Sequence, residues 1–205
     1  MQLDMIAFSC YIWNIEYIDK LCHMLRQRQP DIILALGGPE VTYEPQYFLE
    51  HIPVDYILSG EGEEIFPQLL EALEKKQDVC LPGVSYRGHI SSTVAVADLK
   101  YVESLDSPYC LPQDQKDMGK RILYFETSRG CPFQCQYCLS SLEQGLRFFS
   151  EDYLKRQLNL ICHSSAKTIK FLDRSFNADA NHAIMILDYI FKHYQEGQQF
   201  QFEIN

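Results

Sequence analysis

Short apolar runs alternate with amphipathic segments along the first 77 residues of the chain. The predicted strands are residues 3–10, 31–38 and 54–60, and the predicted helices are residues 15–28, 44–50 and 63–76. In the first helix, apolar residues such as Ile18, Cys22 and Leu25 recur at helical spacing. Strands that alternate with helices are typical of βαβ units, so we expect an α/β fold with a parallel sheet and right-handed crossovers.

The alternation stops near Gln77 and resumes near Arg121. Residues 83–96 have the pattern of a hairpin that turns near Gly88, and residues 105–120 have the proline and polar content of a linker. Further strands are predicted at residues 121–128, 168–173 and 199–204, and further helices from about residue 150 and from Asp179 to about Tyr194. We therefore expect two domains, residues 1–78 and 121–205, separated by a hairpin and linker over residues 79–120.

Composition and charge limit the classes of partner. The chain has 205 residues, of which 46% are hydrophobic and 22% charged, and its formal net charge is −10. No run of Lys or Arg is long enough to follow a phosphate backbone, so nucleic acid is an unlikely partner. No apolar stretch approaches the roughly 18 residues of a membrane span, and the start of the chain lacks a basic signal-peptide region. We expect a cytoplasmic protein without a membrane partner.

Three of the eight cysteines, Cys131, Cys135 and Cys138, lie within eight positions of one another. They occupy a loop that follows the predicted strand 121–128 and is flanked by Gly130 and Pro132. Disulfide frameworks are typical of small secreted domains, so we expect these thiols to be reduced. The other cysteines occur singly, and we interpret them as structural: Cys10, Cys22, Cys80, Cys110 and Cys162.

Three thiolates on one irregular loop can converge on one metal centre. Soft ligands of this kind suit zinc or iron–sulfur chemistry. A structural zinc site needs four ligands, and the nearest candidates, Cys162 and His163, lie more than twenty residues downstream in a predicted helix. Three cysteines on a [4Fe–4S] cluster would instead leave one iron without a protein ligand. A non-catalytic iron–sulfur or zinc-binding protein remains the alternative to an enzyme.

The segment "ETSRGCPFQCQYC", residues 126–138, resembles the signature of the radical S-adenosylmethionine (SAM) superfamily. That signature is C-x3-C-x-aromatic-C in the loop after the first strand of a partial (β/α) barrel, and "KFLDRSFNAD" and "FQFEIN" are similar to the second and third strands. The resemblance implies that the three loop cysteines hold a [4Fe–4S] cluster whose fourth iron binds the amino and carboxylate groups of SAM. It further implies reductive cleavage of SAM, with an electron donor as partner, to a 5′-deoxyadenosyl radical that acts on an unknown organic substrate.

The same resemblance suggests cofactor contacts at three further residues. Tyr137 would place an aromatic ring beside the cluster, Asp173 ends the predicted second strand, and Glu203 lies on the predicted third strand. The alternatives are that Asp173 caps the turn before Phe176 and that Glu203 is a surface residue. The sequence identifies no catalytic residue.

The segments "IAFSCYIWN", "LALGGPEVTY" and "DYILSGEGEEIFPQLLEAL" are similar to the cobalamin-binding Rossmann-like domain that precedes many radical SAM enzymes. The resemblance implies contacts with the nucleotide tail of the cofactor at five matching positions: Ser9, Gly37, Gly38, Gly60 and Gly62. Ordinary turn glycines are the alternative. The family's D-x-H-x-x-G segment is absent, and His23 and His51 stand in no such motif. We therefore expect a cluster and SAM as cofactors and do not expect cobalamin.

Both predicted domains are shorter than their families require. Strands are expected before residue 3, and three more barrel strands are expected after residue 204. We therefore predict a partial Rossmann-like domain followed by a partial (β/α) radical SAM barrel, as part of a larger enzyme. The sheet edge at residues 199–204 would then be exposed and available for self-association. An RNA-modifying function is disfavoured by the acidic charge.

Overall fold

The computed structural model describes residues 3–142 and 145–204. Contacts divide the chain into two compact units, Met1–Val102 and Glu103–Asn205. This division falls inside the segment 79–120 that the sequence assigns to a hairpin and linker. Residues 79–102 group with the first unit and residues 103–120 with the second.

The first unit contains a four-stranded sheet. Its strands are β1 (Met5–Ser9), β2 (Ile33–Gly37), β3 (Tyr56–Leu58) and β4 (Val84–Tyr86). Its helices are α1 (Ile15–Arg28), α2 (Pro39–Thr42), α3 (Pro45–His51), α4 (Gly62–Glu74) and α5 (Leu99–Ser104). The strand order is β1-β2-β3-β4, with parallel pairing from β1 to β3 and antiparallel pairing between β3 and β4. The predicted parallel βαβ arrangement is confirmed for the first three strands.

The apolar runs of the sequence become a sheet covered on both faces. Leu34 and Leu36 of β2 pack with Cys22 of α1 on one face, whereas Ala35 packs with Leu69 of α4 on the other. This alternation follows because successive side chains of a strand point to opposite faces. Continuous apolar runs are therefore required in the central strands, and the carboxyl ends of β1, β2 and β3 meet at one edge of the sheet.

The predicted hairpin contributes only one strand to this sheet. β4 turns at Arg87–Gly88, and Tyr86 and His89 form an antiparallel bridge. The chain then continues to Ala95, which forms a parallel bridge with Gly60 at the end of β3. The second half of the hairpin pattern therefore covers the carboxyl end of β3 instead of extending the sheet.

The second unit contains a three-stranded parallel sheet with the order β5-β8-β9. Its strands are β5 (Ile122–Phe125), β6 (Ser128–Arg129), β7 (Arg147–Phe148), β8 (Thr168–Phe171) and β9 (Gln199–Gln201), and its helices are α6 (Pro112–Gln115), α7 (Glu151–Cys162) and α8 (Ala180–His193). Short 3-10 helices cover Pro108–Cys110, Met118–Lys120 and Leu139–Leu142. The small strands β6 and β7 pair antiparallel, outside the main sheet.

Side-chain caps begin both long helices of the second unit. The Ser150 hydroxyl accepts a hydrogen bond from the Tyr153 amide, and the Asp179 carboxylate accepts one from the His182 amide. Such caps satisfy amides that have no partner within the helix. The helix starts predicted at residues 150 and 179 are thereby confirmed. Within residues 3–142 and 145–204, none of the helices combines the length and apolar content needed to cross a bilayer.

Candidate cluster and cofactor sites

The cysteine loop, residues 130–146, connects the paired strands β6 and β7. Ser128 pairs with Phe148 and Arg129 with Arg147. At the neck of the loop, Gly130 has a φ of +89°, and a Cβ built there would lie 1.8 Å from the Gly145 carbonyl oxygen. Only glycine fits this close approach.

The three loop cysteines lie at the carboxyl end of β5, where parallel α/β folds bind their ligands. Cys131, Cys135 and Cys138 are all partly exposed. The Cys138 amide donates to the Cys135 carbonyl at 3.0 Å, which places these two residues on one turn. Among the described residues, the structure gathers no group of three His, Cys, Asp or Glu side chains that could hold a metal ion. The sequence signal thus brings the thiols to one loop but not around one point.

The remaining thiols have different environments. Burial raises the pKa of Cys10 to about 12 and the pKa values of Cys22 and Cys162 to about 11. Cys80 and Cys110 are exposed and far apart in sequence, and none of the eight cysteines, all of them described, forms a disulfide. Because metals bind thiolates, the buried thiols are poor ligands. The donor set of the loop, three accessible soft ligands in eight residues, fits an iron–sulfur cluster.

Asp173 lies just beyond β8 and is only 1% exposed. Its carboxylate accepts hydrogen bonds from the Thr127 amide at 3.1 Å, from the Thr127 hydroxyl at 2.7 Å and from the Ser128 hydroxyl at 2.6 Å. In the turn that Asp173 was predicted to cap, the Phe176 amide donates to the Glu203 carbonyl. Asp173 therefore links the end of β8 to the start of the cysteine loop.

His182, which the sequence did not single out, joins the same group. Its Nε2 lies 3.0 Å from the Thr127 hydroxyl oxygen, and its ring lies 4.5 Å from the Phe148 ring on β7. Burial lowers the pKa of His182, against the opposing effect of the Asp173 and Asp179 carboxylates. The helix-start signal at Asp179 placed this histidine in the first turn of α8, but only the fold brings it to Thr127.

Among the described residues, no side-chain hydrogen bond joins Tyr137 or Glu203 to the group around Asp173. The Tyr137 side chain is 93% exposed. Glu203 is exposed and lies two residues beyond the end of β9, where its main-chain oxygen accepts the Phe176 amide. Arg129 also lies at the neck, where its side chain is 14% exposed; its guanidinium donates to Glu126 Oε1 and lies 5.7 Å from the centroid of the Phe149 ring. This places a largely buried positive charge two residues before Cys131.

In the first unit, all five predicted cofactor residues lie at the carboxyl edge of the parallel strands. Ser9 ends β1 and is paired with Gly37, which ends β2. Gly38, with a φ of +100°, and Gly60, with a φ of +99°, approach this chain's own backbone: a Cβ would lie 2.6 Å from the Cys10 carbonyl oxygen or 2.2 Å from that of Ala95. Gly62 instead faces open space at the first turn of α4. The edge remains accessible at Ser9 and Gly62.

The histidines of the first unit are engaged away from this edge. His23 lies in the middle of α1, 3.4 Å from Asp19. His51 ends α3, where Nδ1 lies 2.7 Å from the Tyr47 carbonyl oxygen. His89 stacks on Tyr86 in the turn after β4. The structure therefore provides no histidine at the glycine edge among the described residues.

Comparison with known proteins gives matches over both units. The family model described as the B12 binding domain matches residues 1–70. The cobalamin-dependent radical SAM methyltransferase TokK of Streptomyces tokunonensis is 31% identical over 202 residues, which cover 92% of this chain and 29% of TokK. The uncharacterized methyltransferase PH0819 of Pyrococcus horikoshii is 32% identical over 166 residues, covering 76% of this chain and 36% of that protein.

A solved structure of the radical SAM methyltransferase TsrM from Kitasatospora setae, with cobalamin and a [4Fe–4S] cluster bound, has the same fold. It superposes with a TM-score of 0.69 at 16% sequence identity, over 92% of this chain and 40% of TsrM. The predicted fold class, a Rossmann-like domain followed by radical SAM barrel strands, is confirmed.

The matches also correct one expectation. The chain spans about a third of the length of TokK and PH0819. A B12-binding domain is present at residues 1–70, so the missing D-x-H-x-x-G segment is not a sufficient argument against cobalamin. The chain belongs to the radical S-adenosylmethionine superfamily, in the group that carries a cobalamin-binding domain.

Proposed function

We propose that the chain is the cobalamin-binding and cluster-binding part of an enzyme that cleaves SAM reductively and acts on an organic substrate. The observation that carries the proposal is the cysteine loop, in which three accessible thiols follow β5 while Cys10, Cys22 and Cys162 are buried. Cys131, Cys135 and Cys138 would hold a [4Fe–4S] cluster. TokK and PH0819 are named as methyltransferases, which supports methyl transfer as the class of reaction.

The chain's own residues would bind and orient the reactants. The chemistry that a bound cluster would supply is the transfer of one electron, received from a reduced electron-transfer protein, to the sulfonium of SAM, which would give methionine and the 5′-deoxyadenosyl radical. Three thiolates would give the cluster a negative charge, and the ion pair of Arg129 with Glu126 lies at the neck of the loop that carries it. Tyr137, with its exposed ring, is available to cover the bound group.

Cobalamin would bind at the glycine edge of the first unit. Ser9 and Gly62 are exposed there and leave room for a ligand, whereas Gly38 and Gly60 are needed for packing against Cys10 and Ala95. The cobalt would then have no histidine ligand from the described residues. Replacing His23 and His51 together by alanine should leave the cobalamin absorbance spectrum of the loaded protein unchanged. A changed cobalt spectrum would mean that one of them is a ligand.

Anaerobic reconstitution tests the proposed cluster. The chain should take up iron and sulfide in equal amounts and show the charge-transfer absorbance of a [4Fe–4S] cluster. Uptake of zinc alone would support the alternative of a non-catalytic metal-binding protein. An organic substrate also accords with the net charge of −10, which disfavours a nucleic-acid substrate.

A further inference from the structure

We propose that Asp173 and His182 are positioning residues. They hold β6 and β7, the two paired strands that flank the cysteine loop, and thereby set the geometry of the three cysteines. The inference rests on the proposed function, because it assigns these residues a role toward the cluster. Asp173 acts on β6 and His182 acts on β7. Both act through Thr127, Ser128 and Phe148.

Asp173 holds the start of β6 through a buried carboxylate that accepts hydrogen bonds from three protein donors. The amide and hydroxyl of Thr127 and the hydroxyl of Ser128 all point to it, from positions 45 and 46 residues earlier in the chain. A buried carboxylate is retained only where such hydrogen bonds compensate for its lost hydration. Because three protein donors converge on this buried carboxylate, its contacts favour a positioning role for Asp173.

The available hydrogens determine which group donates in the contact between Thr127 and His182. The Thr127 hydroxyl has one hydrogen, and its 2.7 Å bond to Asp173 uses it. The 3.0 Å contact with His182 Nε2 therefore requires that Nε2 carry a proton and donate it. The histidine ring is thereby oriented, and it packs at 4.5 Å against the Phe148 ring of β7. His182 thus connects Phe148 of β7 to Thr127, which is itself hydrogen-bonded to Asp173.

Strands β6 and β7 are also paired with each other, so Asp173 and His182 together hold both ends of the cysteine loop. β6 and β7 pair through Ser128 and Phe148, and the Phe149 amide donates to the Thr127 carbonyl at 3.2 Å. Cys131 follows Ser128 by only three residues. A shift of β6 would therefore move Cys131, the first proposed cluster ligand.

A matched pair of serine substitutions tests the contact between Asp173 and β6. Ser128→Ala removes one donor to the carboxylate, whereas Ser164→Ala removes a hydroxyl that binds the Ile161 carbonyl in the turn after α7. In the metal-free chain, Ser128→Ala should speed amide hydrogen exchange in residues 130–142 at least tenfold, and Ser164→Ala should not. In the reconstituted chain, only Ser128→Ala should speed iron loss to a chelator. Equal effects of the two variants would overturn the inference.

Asp173→Asn separates positioning from direct binding, and Thr127→Val serves as a second variant should Asp173→Asn fail to fold. Both should broaden the electron paramagnetic resonance (EPR) signal of the reduced cluster, even without SAM. A normal signal without SAM, combined with loss of the SAM effect, would show that Asp173 contacts the nucleotide and would overturn the inference. If the EPR signal of the unmodified chain did not respond to SAM, the proposed function would be refuted instead. The hydrogen-exchange comparison of Ser128→Ala with Ser164→Ala would still decide whether Asp173 holds the cysteine loop.

Discussion

The hydroxyl of Tyr109 binds both main-chain polar groups of Tyr124. It donates to the Tyr124 carbonyl at 2.7 Å and accepts from the Tyr124 amide at 2.8 Å. Tyr124 lies in β5, an outer strand of the second sheet. An outer strand carries unpaired amides and carbonyls that can pair with another chain, so Tyr109 blocks the β5 edge at its centre. Strand β9 lies at the opposite edge of that sheet, and self-association through β9 remains a prediction.

Removal of this hydroxyl should weaken the second unit. Tyr109→Phe leaves the Tyr124 amide and carbonyl without their partner and should lower the free energy of unfolding by about 1–3 kcal/mol. It should also make the chain associate more strongly with rising concentration. Chemical denaturation and sedimentation velocity measure the two effects. Tyr17→Phe, on an exposed residue of α1, is the control. If both variants behave alike, Tyr109 does not protect the edge.

Cluster binding should depend on the loop thiols alone. Cys135→Ala should abolish the brown absorbance and most of the iron of the reconstituted chain, while far-ultraviolet circular dichroism stays nearly unchanged because the residue is partly exposed. Cys80→Ala removes another surface thiol and should retain full iron content. Full iron content in Cys135→Ala would count against the assignment of the ligands.

The glycines at the edge of the first sheet should differ sharply in their tolerance of a methyl group. Gly60→Ala would place a Cβ 2.2 Å from the Ala95 carbonyl oxygen at a φ of +99°, and should lower the free energy of unfolding by about 3 kcal/mol or more. Gly62→Ala meets open space in a helical position and should raise it by up to about 1 kcal/mol. Thermal denaturation compares them. Equal destabilisation would mean that the approach of Gly60 to Ala95 does not constrain the fold.

His182 should make stability depend on pH. Burial lowers its pKa, so the unfolded chain takes up this proton more readily than the folded chain. Its contribution to stability is therefore complete above the unfolded pKa of about 6.5 and decreases as the pH falls toward the folded value. His182→Gln keeps an N–H donor without titrating, and it should flatten the pH dependence of unfolding below about pH 6.5. His193→Gln, which removes an exposed histidine from the last turn of the same helix, is the control. An unchanged slope in His182→Gln would refute the effect.

Local sequence signals predicted much of the fold. Helix α1 runs over residues 15–28 as its apolar spacing indicated, and the Asp179 cap marked the start of α8. β4 was assigned to a separate hairpin because its partner is β3, and no local signal specifies a pairing across some 25 residues. The linker pattern of residues 105–120 likewise concealed Tyr109, whose role depends on β5 being an outer strand.

The candidate site was predictable where one short segment carries it. Cys131, Cys135 and Cys138 lie on one loop as their spacing predicted, and their role as ligands of one cluster remains a prediction. The glycine signal was ambiguous, since close backbone approach was correct for Gly38 and Gly60 but the neighbours are Cys10 and Ala95. Asp173 was selected from its place at a strand end, yet its partners lie about 45 residues away and its contacts could not be derived from spacing.

The most direct test of the proposed function is the EPR spectrum of the reduced, reconstituted chain with and without SAM. If the three loop cysteines leave one iron of the cluster open, SAM should bind that iron and change the g values, and cobalamin alone should not. A cluster whose spectrum is the same with and without SAM, or a loop that holds only zinc, would contradict the account.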